Sequence, residues 1–305
     1  MNEVVLKLKN VTKSYSGKVA VDNVNMTIRR GDIYGLIGRN GAGKTTLTRL
    51  ITSLTFADSG EIELFGETTE SGLQEARKRL GCVIEIPALY PNLTAYQNLE
   101  YYQRLKGIPD KNAIIKTLEI VGLSDTGEKK VKNFSLGMKQ RLGIALALLN
   151  NPDFIILDEP INGLDPMGII EMREIIKRLN EEYHITIMIS SHILTELSLV
   201  ATHYGIIDEG RMVKEFTHEE LTEQCQRSLA IMVDDTAKAA SVFETVLHTK
   251  NFKVISGKEI RLYDYLDNSS EVNQQLVSSG VSVASITEVG DNLEDYFMSL
   301  VKGRE

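Results

Sequence analysis

Gly38-Arg39-Asn40-Gly41-Ala42-Gly43-Lys44-Thr45-Thr46 is the stretch that decides how this chain folds. It fits the pattern G-x-x-x-x-G-K-[ST], with Gly38, Gly43, Lys44 and Thr45 at the required places. The glycines let the backbone turn so that several N–H groups point inward and cradle phosphate oxygens. Lys44 supplies positive charge to the outer phosphates. The Thr45 hydroxyl suits Mg²⁺, which takes few protein ligands and fills its shell with phosphate oxygens and water. Residues 45–50 predict a helix whose N-terminus adds partial positive charge beneath the phosphates. Residues 33–37 predict a short buried strand ahead of the loop, so strand, glycine loop and helix come in the order the motif needs. The bland alternative, a glycine turn before an ordinary helix, loses ground as the rest of the chain is read.

Two later stretches carry chemistry. Pro152-Asp153-Phe154-Ile155-Ile156-Leu157-Asp158-Glu159-Pro160 sets four apolar residues ahead of two carboxylates, as in a buried parallel strand with a charged carboxyl end. Asp158 is placed to hold Mg²⁺ directly or through water. Glu159, one residue on, points elsewhere and can polarise a water toward a terminal phosphate as general base. Buried paired acids without a metal or cation would be costly. Phe134-Ser135-Leu136-Gly137-Met138-Lys139-Gln140-Arg141 precedes and opens a predicted helix over 138–149. Alone it reads as a plain helix cap; a hydroxyl, free N–H groups and a helix N-terminus also make an anion site.

Smaller signals follow the same order. Ser190-Ser191-His192 ends a predicted strand over 185–189, at the edge of a parallel sheet where ligands collect; a lone histidine elsewhere is ordinarily structural. Asn162-Gly163-Leu164-Asp165-Pro166 is a loop with one more acid. Tyr15, in a turn-rich link over 9–17, is equally a platform for a nucleobase or a packed loop aromatic. Strands are predicted at 4–8, 61–65 and 81–86, and residues 19–28 as a strand pair or a strand and turn. Helices are predicted at 73–80, at 95–105 behind a Thr94 or Asn92 cap, at 111–121, 168–180 and 193–201. A hairpin is predicted over 204–208 and 211–216. The helix at 95–105 carries Tyr96, Tyr101 and Tyr102.

Bulk properties bound the rest. A length of 305 residues suggests about two domains. A net charge of −8 disfavours general nucleic-acid binding. No apolar run approaches the roughly 18 residues that cross a bilayer, and the acidic, short-runged start (Met1-Asn2-Glu3) is unlike a secretory signal. Cys82 and Cys225 form no pair or framework, which suits a reducing compartment.

With these residues in order, the chain resembles the ATP-binding-cassette ATPases over about residues 4–225. The resemblance implies an α/β phosphate-loop fold of cassette type: a RecA-like core, an antiparallel β-subdomain, and an α-helical subdomain at about 87–150. It implies ATP and Mg²⁺ as cofactors. Tyr15 would stack on adenine, while Gly38, Asn40, Gly41, Ala42, Gly43, Lys44, Thr45 and Thr46 hold the phosphates. Thr45 and Asp158 would organise Mg²⁺, Glu159 would be the base, Asp165 would couple two sites, and His192 would contact the terminal phosphate. Ser135 and Gly137 would complete the site of a second copy bound head to tail. A separate membrane permease would dock on the surface after Glu85, including Tyr96 and Tyr101, which places the chain at the cytoplasmic face of the membrane with no nucleic-acid partner.

Two departures stand out. The defining loop usually reads L-S-G-G-Q; here it is Phe134-Ser135-Leu136-Gly137-Met138. The usual glutamine after Ile84 is Glu85, which still offers Mg²⁺ an oxygen but donates no amide hydrogen bond. Glu85, Tyr90-Pro91-Asn92-Leu93-Thr94, the Ser135 loop and Leu293-Glu294-Asp295-Tyr296-Phe297 look like the bacitracin-resistance and lantibiotic self-protection exporters. That likeness implies ATP-driven export of a peptide antibiotic. The rival classes are a DNA-repair or chromosome ATPase, which carries long coiled-coil or zinc insertions, and a small-molecule kinase, which needs neither the Ser135 loop nor His192. Residues 226–305 lie outside the cassette. Their predicted order, strand 229–233, helix 236–247, strands 252–256 and 259–263, helix 270–278, strand 281–286 and helix 292–302, suggests a small ferredoxin-like α+β domain.

Overall fold

The structure, a computed structural model, describes residues 3–110, 112–225, 227–290 and 293–302. Of the positions read above, Met1, Asn2, Lys111, Gln226, Asn292 and 303–305 lie outside them. The chain forms two compact units, Met1–His218 and Glu219–Glu305.

The first unit opens on a three-stranded antiparallel sheet. Strands β1 (Val4–Tyr15), β2 (Lys18–Arg29) and β4 (Ser59–Leu64) stand in the order β2-β1-β4. The sequence predicts a strand only to residue 8, yet β1 runs on to Tyr15. Its register against β2 shifts between Leu8 and Val11 and again on either side of Lys13. Asn10 also takes a left-handed φ of 52°. Such bulges break the inside–outside rhythm by which a strand is recognised.

The second sheet holds β3 (Ile33–Ile37), β5 (Leu80–Val83), β6 (Phe154–Asp158), β7 (Thr186–Ser191), β8 (His203–Asp208) and β9 (Arg211–Thr217), in the order β5-β6-β7-β3-β8-β9. All neighbours are parallel except the β8–β9 hairpin. Every residue of β3, β6 and β7 is buried, as expected of parallel strands covered on both faces. Ser190 of β7 aligns with Leu36 of β3 on one side and Asp158 of β6 on the other. Three carboxyl ends therefore finish side by side.

Helices flank these strands: α1 (Lys44–Ile51), α2 (Glu70–Arg77), α3 (Ala95–Lys106), α4 (Ala113–Ile120), α5 (Leu136–Leu148), α6 (Pro166–Glu181) and α7 (Leu194–Leu197). Thr94 is the cap of α3, in a reciprocal box with Gln97. Buried Asn98 fastens the preceding loop by accepting from Tyr90 N and donating to the Tyr90 and Thr94 carbonyls. The predicted helix over 193–201 shrinks to the four residues of α7.

The second unit opens with α8 (His218–Cys225), whose first residue closes the first unit, and continues with β10 (Ser228–Val233), α9 (Thr236–Thr245), β11 (Phe252–Val254), β12 (Glu259–Leu262), α10 (Ser269–Ser278), β13 (Val283–Val289) and α11 (Leu293–Lys302). Its sheet is antiparallel in the order β11-β12-β10-β13. The second and third strands pair as a hairpin while the first and last lie adjacent, which is the split β-α-β arrangement. Leu229, Ile231 and Val233 alternate inward from β10 onto Val242, Phe243, Val272 and Leu276, so this unit has its own core.

Asp32, in the turn before β3, is buried and accepts from Arg29 N at 2.7 Å. Burial raises its pKa above the ordinary carboxylate value, opposed by the Arg29 amide and by His203. A raised folded pKa means the native state holds the proton longer than the unfolded state. Stability should therefore fall as pH rises from the ordinary carboxylate value through the raised one. Asp32→Asn should flatten that part of a stability–pH curve measured by urea unfolding; an unchanged slope would show that Asp32 does not contribute it.

Candidate functional site

The loop between β3 and α1 is held by close backbone packing. A Cβ on Gly38 would lie 2.5 Å from the Ile207 carbonyl, and one on Gly43 would lie 2.6 Å from the Ala20 carbonyl. Gly43 and Gly41 have φ of 109° and 84°, which favour glycine. Ala42 is buried and its carbonyl accepts from Gly210 N at 2.9 Å; Asn40 is exposed and Thr46 half-buried. No side chain caps α1, and no acid sits in its first turn. Its N-terminal amides therefore keep their partial positive charge for an anion.

Lys44 is 5% exposed. Its Nζ donates to the Gly38 carbonyl at 2.8 Å and the Arg39 carbonyl at 3.3 Å, and stands 3.1 Å from Glu159 Oε1. Glu159 Oε2 meets His192 Nδ1 at 2.8 Å. Thr45 Oγ1 donates to Asp158 Oδ2 at 2.9 Å, and Ser190 Oγ donates to Asp158 Oδ1. The Glu159 amide donates to Ser190 O and Oγ, both at 3.1 Å. Lys44, Thr45, Asp158, Glu159 and His192, spread over the whole first unit, are thus one connected cluster. Glu159 takes a left-handed φ of 51°, a strained choice for a side chain of that size and typical of functional turns.

Other sequence-derived residues lie in different settings. Tyr15 is 44% exposed at the end of the β1–β2 hairpin, with Lys13 Nζ 5.5 Å from its ring centroid and its hydroxyl 3.5 Å from Thr55 Oγ1. Its pairing partner Lys18 is two residues from Ala20, which abuts Gly43. At about 3.3 Å per residue, that puts Tyr15 roughly 7 Å along the strand from the loop contact. Ser135 caps α5 by accepting from Met138 N, and Asp165 caps α6 by accepting from Gly168 N, each at 3.2 Å. The predicted helix after the Ser135 loop begins two residues early, at Leu136, and Gly137 lies in its first turn.

Glu85 makes its contact outside these hydrogen bonds. Its carboxylate pairs with Arg49, four residues after Thr45 and so on the same face of α1. Ser190, which joins Asp158 to the Glu159 amide, is not among the site residues that the sequence points to. Its signal was a hydroxyl pair ending an otherwise apolar strand.

Comparison with known proteins settles the family. Residues 21–162 match the family described as ABC transporter. The bacitracin transport ATP-binding protein BcrA of Bacillus licheniformis is 44% identical over 98% of this chain and 98% of its own. The chain belongs to the ABC transporter ATP-binding proteins. The lantibiotic transport ATP-binding protein SrtF of Streptococcus pyogenes is 46% identical over 72% of this cassette chain and 95% of its own. The solved dimeric ATP-binding cassette in a post-hydrolysis state, bound to ADP and Pi, superposes with a TM-score of 0.63 at 27% identity, over 70% of this chain and 99% of that one. The cassette is an ATPase whose cofactors are ATP and Mg²⁺. The donors fit that ion: the Thr45 hydroxyl and Asp158 carboxylate are hard oxygens side by side, leaving the remaining positions to nucleotide and water. Among the described residues, no helix is long and apolar enough to cross a membrane.

The tight seat of Gly38 is testable. Gly38→Ala forces a Cβ into a backbone carbonyl, and overpacking of this kind costs about 1–3 kcal/mol. The variant should show a matching drop in unfolding free energy and weakened ATP binding by nucleotide titration; wild-type values for both would show that the loop can yield.

Proposed function

We propose that this cassette powers a separate membrane permease that exports a peptide antibiotic of bacitracin or lantibiotic type. The named transport relatives support that substrate class, one of them matched across both units. Two copies pair head to tail, each presenting its Ser135 and Gly137 helix end to the other's phosphate loop; the dimeric cassette of similar fold supports this arrangement. The permease docks beside the loop after Glu85. There Ile86 is 87% exposed and Tyr96 and Tyr101 lie open, Tyr101 packed on Tyr90 with ring centroids 4.7 Å apart.

The observation that carries the catalytic reading is Glu159, gripped on one oxygen by Lys44 and on the other by His192. Each carboxylate oxygen keeps a second lone pair, so Glu159 can accept a proton from the attacking water as general base. Lys44 carries its charge to the outer phosphates, and His192 orients the base. Thr45 and Asp158 would hold Mg²⁺, which would supply neutralisation of charge on the phosphates. Tyr15 supports the adenine, and Asp165, at the mouth of α6, relays closure between the paired sites. Glu85, on Arg49, links α1 to the loop facing the permease.

Glu159→Gln should slow ATP hydrolysis by about 10²–10⁴ while ATP binding persists. Turnover at the wild-type rate would remove the base assignment. Cells carrying the cassette with its permease should survive raised bacitracin or lantibiotic, and the same cells with Glu159→Gln should not. Equal sensitivity in both strains would assign the transporter another cargo.

A further inference from the structure

Ser135 and Asp165 cap neighbouring helices, α5 and α6. Near the caps the two loops interlock: Leu136 Cδ2 stands 3.2 Å from where a Cβ on Gly163 would be, and Leu164 Cδ2 3.7 Å from the same point on Gly137. A second tie lies deeper. Arg141 of α5 is six positions past Ser135, and Glu171 of α6 is six positions past Asp165. At 1.5 Å rise per residue, both sit about 9 Å below their caps. Arg141 Nη2 is 3.5 Å from Glu171 Oε2, and Nη1 donates to the Gly122 carbonyl at 3.2 Å and the Val121 carbonyl at 3.5 Å. Those carbonyls end α4, where the helix dipole favours a cation. Arg178 of α6 donates to the next carbonyl back, that of Ile120. One guanidinium, 16% exposed, thus joins three helices.

We propose that Arg141 is a positioning residue for the paired site, levelling the Ser135 helix end against the Asp165 helix end so that both meet the nucleotide held by the other copy. This rests on the head-to-tail reading above. A planar fork that reaches two carbonyls and a carboxylate together is a task that lysine's single ammonium does not share. The tie matters for chemistry because displacement of a contact group by about 1 Å can weaken its action by orders of magnitude. Arg141 acts on the other copy's nucleotide and leaves its own phosphate loop untouched.

That split provides the test. In a Glu159→Gln background, ATP affinity of the single copy is measured by titration with a fluorescent ATP analogue and Mg²⁺, and ATP-driven pairing by sedimentation. Adding Arg141→Ala should leave the single-copy affinity unchanged and weaken pairing by about tenfold or more. Arg141→Lys, which keeps the charge and the packing stem, should weaken pairing in the same direction by less. Pairing at the parent level in both variants overturns the proposal. So does a parallel loss of single-copy affinity in both, which would mark Arg141 as a general fold residue. A parent that never pairs with ATP sinks the head-to-tail reading itself and takes this inference with it.

Discussion

A carboxylate that is 4% exposed must be satisfied by its neighbours, and Asp158 imposes that demand on the whole first unit. It sits at the end of a strand buried on both faces, where water does not reach easily. Thr45 from the start of α1 and Ser190 from the end of β7 each donate one hydroxyl to it. Those donors can arrive only if β3, β6 and β7 end in register, and they do. The network that stabilises a buried acid therefore also sets hard oxygens, of the kind that Mg²⁺ prefers, side by side. Folding and cofactor chemistry make the same request of the same atoms.

Much of this is legible in the sequence. The phosphate loop could be read because glycine, lysine and threonine at fixed spacing have few alternative reasons to occur together. The strand ending in Asp158 and Glu159 was legible because its apolar run is short, unbroken and charged only at its end. What the chain hid were features set by three-dimensional neighbours. Bulges in β1 erased the alternation that would have extended the strand to Tyr15. The Ser135 helix begins at Leu136 because a serine oxygen accepts from the Met138 amide, a boundary that periodicity alone places within a few residues at best. The pairing of Glu85 with the Arg49 guanidinium was also hidden, because the two are far apart in the chain and only the helix geometry shows which face of α1 Arg49 occupies.

Strand ends and helix starts carry different groups. Groups at strand ends, Asp158, Glu159 and His192, converge on the phosphate loop of their own chain. Groups at helix starts, Ser135 and Asp165, occupy exposed caps. A helix N-terminus that already has one side-chain acceptor still presents further unpaired N–H groups. The α6 start offers fewer of them, because Pro166 in its first turn has no N–H.

The left-handed backbone at Glu159 has an evolutionary side. Holding a long side chain at φ 51° carries a strain of order 1–3 kcal/mol, and glycine would release most of it. Selection for heat resistance alone would thus favour glycine at this turn. Glutamate in that posture trades robustness for a carboxylate set between Lys44 and His192, and a stability-guided redesign that replaced it would dismantle that contact.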